Sequence, residues 1–141
     1  MNDAISWLPE PDDDNRPFFD GARNGELRLQ RCDDCGGWMY PVKKRCQHCG
    51  STALGWQTAS GRGTLYSHAR LQRVYHPRHE GRLPLILAWI DLEEGVRLPS
   101  NLVDCEPADA KAGMPVQVAF EQFADGAAVP VFRPAAGQGQ P

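Results

Sequence analysis

The sequence predicts a mainly β protein: a short N-terminal helix, a metal-holding zinc ribbon, and a five-stranded barrel of the OB type. Three observations lead there. The 141 residues include 14 glycines and 12 prolines, a composition that interrupts long helices and joins short strands through turns. Two Cys-x-x-Cys pairs stand close together, each followed by glycine. Beyond Gly63 come five strand-like segments, with the half's only helix-friendly stretch between the third and fourth.

The paired cysteines carry the clearest chemistry. Cys32, Cys35, Cys46 and Cys49 have the spacing of a four-thiolate metal site, because a two-residue gap folds into a tight turn that aims both sulfurs at one point. Gly36 and Gly50 allow the positive φ that turns backbone N–H groups toward the thiolates. Disulfides fit less well: the cysteine count, 5, is odd, and the chain opens Met-Asn-Asp-Ala without the basic and apolar regions of a secretion signal. Zinc is expected over iron, since the four sulfurs close the shell and leave no open position. A soluble, cytoplasmic protein is expected, since no apolar run approaches membrane-spanning length.

Composition narrows the partners. The longest apolar run, Leu85 to Ile90, is too short to span a bilayer. The formal charge is −3, and one divalent ion held by four thiolates brings it to about −5. That sign disfavours general nucleic-acid binding. Arg28, Arg31, Lys43, Lys44 and Arg45 are then expected to offset the negative cluster.

In chain order, residues 1–15 are acidic and proline-containing, a composition expected to stay extended, with Trp7 and Leu8 as an anchor on the chain's own surface or on a partner. Asn15-Arg-Pro17 opens a helix over 16–24, closed by Gly25. Its Phe18 and Phe19 face either the ribbon or another chain. Leu27 to Arg31 alternates as a strand into the first cysteine pair, and Leu54 to Ala59 is the last ribbon strand. The ribbon unit thus covers 16–60 and the barrel 61–134. Within the barrel, Thr64 to Val74 places Leu65, Ala69 and Leu71 on one face and Tyr66, His68, Arg70 and Gln72 on the other. Leu85 to Leu92 is the central strand, and Val96 to Val103 follows. Pro107 to Ala112 is a short helix stopped by Gly113. Val116 to Glu121 alternates, Asp125-Gly126 turns the chain, and Ala128 to Phe132 is the last strand. Residues 135–141 are low-complexity and expected to be disordered. An SH3-like barrel is the second choice of fold.

Several short stretches resemble one family in order and spacing. They are Pro17-Phe18-Phe19, Gly25-Glu-Leu, the two cysteine pairs with Pro41 and Ser51, Gly61-x-Gly63-Thr64-Leu-Tyr66-Ser67, Asn101-Leu-Val-Asp-Cys105, Gly113-Met-Pro115-Val116, and Val131-Phe-Arg-Pro134. Together they resemble the acyl-CoA-associated family that joins a rubredoxin-like zinc ribbon to an OB-fold. Val42-Lys-Lys departs from it, where many relatives have a second proline and an arginine. The resemblance implies a non-catalytic accessory subunit that docks on a thiolase-superfamily partner, such as a thiolase, acyltransferase or aldol lyase. It also implies a role beside acyl-CoA thioesters. The competing reading is a single-stranded nucleic-acid binder, for which Tyr66 and Tyr75 near Arg70 and Arg73 are a thin signal.

No catalytic constellation emerges from the sequence. Cys105 lies between Asp104 and Glu106, which blunts a thiolate, and is expected as a half-buried core residue. His48 is expected at the surface. One basic cluster, with Arg70, Arg73, Arg78 and Arg82 among His68, His76 and His79, suits phosphate through bidentate guanidinium bonds. Given the resemblance, those arginines are expected to meet the phosphates of coenzyme A or a partner's acidic residues.

Overall fold

The computed structural model describes residues 13–71, 85–123 and 126–135. Helix α1 spans Arg16–Arg23. Pro17 starts it without losing a bond, since first-turn N–H groups have no helical partner, and the Asn15 carbonyl accepts the Phe18 and Phe19 N–H at 3.1 and 3.4 Å. At the other end the N–H groups of Gly25 and Glu26 fold back onto the carbonyls of Ala22 and Gly21, at 3.2 and 2.8 Å. Helix α1 packs on the ribbon strand β1, Arg28–Cys32, and on the barrel. Phe18 meets Tyr40 at 5.7 Å between ring centroids, which settles the helix's own-chain packing.

The ribbon is a three-stranded sheet with β1 in the middle, flanked by β2, Trp38–Met39, and β3, Leu54–Thr58. Next come β4 Arg62–Leu71, β5 Leu85–Leu92, β6 Arg97–Leu102, β7 Pro115–Gln122 and β8 Ala128–Pro134. They close a barrel in the order β4-β5-β6-β8-β7, with β7 returning to β4 at the pair Gly63 and Val116. Closure leaves the barrel itself without a free sheet edge. Leu65, Ile90, Val116 and Phe132 fill the barrel interior, and Leu27, Leu29 and Ala59 from the ribbon side belong to the same buried cluster. Among the described residues, no helix is long and apolar enough to cross a membrane.

The junction between sheets is tightly drawn. Gly61 has φ +79°, and a Cβ there would stand 2.3 Å from Val118 Cγ1. Its carbonyl also accepts the Val118 N–H at 2.8 Å, so the strand cannot back away without losing that bond. Gly61→Ala is expected to lower stability by about 2–4 kcal/mol, combining left-handed strain with overpacking; a smaller urea midpoint at unchanged slope would show it.

Two elements differ from the sequence expectation. Strand β4 carries a bulge between Leu65 and Ser67, so simple alternation fails. Beyond it His68 and Arg70 register with buried Ala88 and Ile86, while Ser67 and Ala69 register with exposed Trp89 and Leu87. Ala69, expected inside, is exposed. The expected helix over 107–112 is a single 3₁₀ turn, Pro107–Asp109. Ala110 is already extended, at φ −71° and ψ 126°, because the Gly113 N–H and Met114 carbonyl bond the backbone of Leu65 at 2.6 and 3.0 Å. Those two bonds to β4 outweigh the weak helix preference of a six-residue stretch.

Candidate metal centre

The four cysteine sulfurs converge within 4.8 Å of one another. Each cysteine pair sits on a turn where the glycine after it bonds back, Gly36 N–H to the Cys32 carbonyl and Gly50 N–H to the Cys46 carbonyl, both at 2.9 Å. That geometry needs positive φ, observed at 77° and 78°. Backbone N–H groups point at the sulfurs: Cys35 to Cys32 Sγ at 3.5 Å, and His48 and Cys49 to Cys46 Sγ at 3.3 and 3.4 Å. Across the site, Cys32 and Cys49 sulfurs stand 3.7 Å apart, and Cys35 and Cys46 3.5 Å. Zinc–thiolate bonds of about 2.3 Å in a tetrahedron put sulfurs about 3.8 Å apart, so the residues present fit a zinc ion.

Electrostatics favour a cation there. For Cys46, burial raises the thiol pKa, but the N–H groups of His48 and Cys49, with neighbouring thiols, bring it down to about 6. For Cys49, the Ser51 N–H pulls downward and is outweighed by burial and the three other thiols, which push it up to about 12. The four thiols cannot all ionise together unless a positive ion offsets them.

The surroundings hold features that sequence reasoning missed. Arg31 Nε donates to the Gly36 carbonyl at 2.9 Å, and Arg45 donates to the Gly50 carbonyl at 3.2 Å. Each arginine precedes the first cysteine of its pair and ties off the glycine that ends the turn. The repeat Arg-Cys-x-x-Cys-Gly, read twice, was the available signal. Arg31 also lies 4.8 Å from the Trp38 ring centroid. Buried Gln30 clamps the loop between the pairs, accepting the Lys43 N–H at 2.7 Å and donating to its carbonyl at 2.8 Å; no local pattern announces a contact thirteen residues away. Cys32, Cys46 and Met39 form a small second core with Leu54 against it.

The remaining candidates separate. His48 is exposed, with Nε2 3.4 Å from the Trp38 carbonyl. Cys105 is half-buried against the main core, and burial, aided by Asp109 and Glu106, pushes its thiol up. Arg70 and His68 are exposed on β4. Arg73, Arg78 and Arg82 lie outside the described residues, as do Tyr75, His76, His79, Trp7 and Leu8 and the tail beyond 135. On the helix side, Phe18, Phe19, Met39, Tyr40 and Trp56 line an open apolar groove of about 160 Å³.

Fold and site define a class: a four-cysteine zinc-ribbon protein carrying an OB barrel. Residues 19–55 match the family model described as the ChsH2 rubredoxin-like zinc ribbon domain, and residues 56–121 match the ChsH2 C-terminal OB-fold domain. A probable enoyl-CoA hydratase alpha subunit of Thermomonospora curvata is 36% identical over 137 residues, 96% of this chain and 42% of that relative. The chain thus spans less than half of that protein's length. A DUF35 domain-containing scaffold protein of Methanocaldococcus jannaschii is 33% identical over 94 residues, 66% of each chain. A solved structure titled Ltp2-ChsH2(DUF35) aldolase superposes with a TM-score of 0.83 at 35% identity, covering 92% of this chain and all of that one. The chain belongs to the ChsH2/DUF35 family of zinc-ribbon and OB-fold proteins.

Proposed function

We propose that this chain is a non-catalytic accessory subunit that docks on a thiolase-fold enzyme forming or cleaving carbon–carbon bonds of acyl-CoA thioesters. The observation that carries it is the superposition on every residue of the chain from the Ltp2-ChsH2(DUF35) aldolase. Zinc held by Cys32, Cys35, Cys46 and Cys49 is structural, since four thiolates leave no place for a metal-bound water. The partner supplies the nucleophile or base; Cys105, with its raised pKa, is a poor nucleophile. Reduced, metal-bound thiols fit the cytoplasm.

Arg70, with Arg73, Arg78 and Arg82 of the basic cluster in the sequence, is proposed to meet the phosphates of coenzyme A or acidic residues of the partner, both of which suit bidentate guanidinium bonds. Coexpression with a candidate thiolase-fold partner, then assay of each alone and together, tests the main reading. Turnover is expected only when the partner is present and is expected to rise with this chain; thioester turnover by the isolated chain overturns it. Calorimetry of CoA binding to the complex tests the arginines: unchanged affinity after Arg70, Arg73 and Arg78 become alanine removes their role.

A further inference from the structure

Among the described residues, the large apolar side chains left exposed are Tyr66, Leu87 and Trp89, at 51%, 41% and 48%. All three stand on one outer face of the barrel. Leu87 and Trp89 are two apart on β5, so their side chains leave the same side of the sheet. Trp89 registers with Ser67 of β4 and exposed Pro99 of β6. Tyr66 occupies the β4 bulge beside them, and because the bulge shifts the register, Ser67 beyond it lies on the same outer face as Trp89.

This is the strand 2–3 face of the barrel, the side on which OB-folds carry their ligands. Among the described residues, the charges around Tyr66 are paired with one another. Arg97 sits over the Tyr66 ring, its guanidinium carbon 3.5 Å from the ring centroid, and bonds both carboxylate oxygens of Asp91 at 2.6 and 3.2 Å. Next to it Arg62 pairs with Glu93 at 3.0 Å. A phosphate backbone would meet a neutral surface with a carboxylate in it, whereas an apolar protein surface would meet aromatic and arginine anchors of the kind that dominate protein contacts. The three side chains expose on the order of 300 Å². That is less than half of the roughly 800 Å² a standard contact takes from each partner, so they form a centre that needs a larger rim.

The geometry points to the Tyr66–Leu87–Trp89 face as the docking surface for the catalytic subunit, received by an apolar, uncharged patch of that partner. This rests on the accessory-subunit reading above. Because the barrel is closed, the contact is made by side chains and not by strand addition.

The test uses the intact chain and the coexpressed thiolase-fold partner, with affinity measured by calorimetry at low and high salt. Wild type is expected to bind with little dependence on salt, and Leu87→Ser/Trp89→Ser to bind about 100-fold more weakly. Zinc content and circular dichroism should not change, since both side chains lie on the outer face and neither belongs to the buried core. Tyr66→Ser, which also frees Arg97, is expected to weaken binding by about tenfold. Wild-type binding that the double variant retains overturns the assignment of this face and leaves the accessory role standing. No binding by wild type overturns both. A wild-type homodimer abolished by the double variant, or salt-dependent binding of single-stranded oligothymidylate through this face, overturns the partner in favour of a second copy or a nucleic acid.

Discussion

Cys46→Ser is expected to yield protein without bound metal and without a folded ribbon. Wild type should carry one zinc per chain by elemental analysis, and Cys105→Ser, which touches no ligand, should carry the same. The magnitude follows from what the ion does: structural zinc contributes on the order of 10–16 kcal/mol at neutral pH, comparable to or above the whole stability of an ordinary domain. Nothing else is large enough to replace it in the ribbon, where Cys32, Cys46, Met39 and Leu54 make only a small core. Zinc affinity is expected to fall with acidification, because the metal holds thiolates and must displace protons from groups as basic as Cys49, pushed up to about 12. Competition with a chelator between pH 6 and pH 8 measures that slope, and a flat profile would argue against thiolate ligation.

Phe132→Ala is expected to cost about 3–5 kcal/mol, the range for emptying a large aromatic site in a core. Phe132 is fully buried and sits where the barrel is thinnest in hydrogen bonds: β6 and β8 register through the single parallel pair Leu102 and Phe132. Its carbonyl accepts the Val103 N–H at 2.7 Å, and across β7 it faces Val118. Removing the ring therefore opens a cavity beside the seam that closes the barrel. A fall in melting temperature of about 10 °C is expected for a chain of this size, read by calorimetry on zinc-loaded protein. A loss below about 1 kcal/mol would mean that the seam is held by other contacts.

Much of this molecule was legible in the sequence where the physics is local. Cysteine spacing, turn glycines and a proline at a helix start act within a few residues, and the metal cluster and α1 lie where those signals put them. The barrel strands followed from alternation, except where an extra residue shifted its phase: the bulge at Tyr66 turned Ala69 outward, and no count of apolar residues reveals that. The run Leu85 to Leu92 was recognisable as a central strand, yet its near-continuous apolar character concealed that Leu87 and Trp89 face water. Gln30 and the pairing of Leu65 with residues 113 and 114 depend on chain segments brought together only by folding. The 3₁₀ turn at Pro107 belongs with them, since a weak local preference yielded to two distant backbone bonds.

The boundary between the two family models, after Gly55, cuts through β3, and Leu27, Leu29 and Ala59 pack in the same cluster as the barrel's Leu65 and Phe132. Shuffling either half alone into another protein would expose half of a cluster that the two halves complete jointly. Inheritance as an indivisible unit is what such a shared interior imposes.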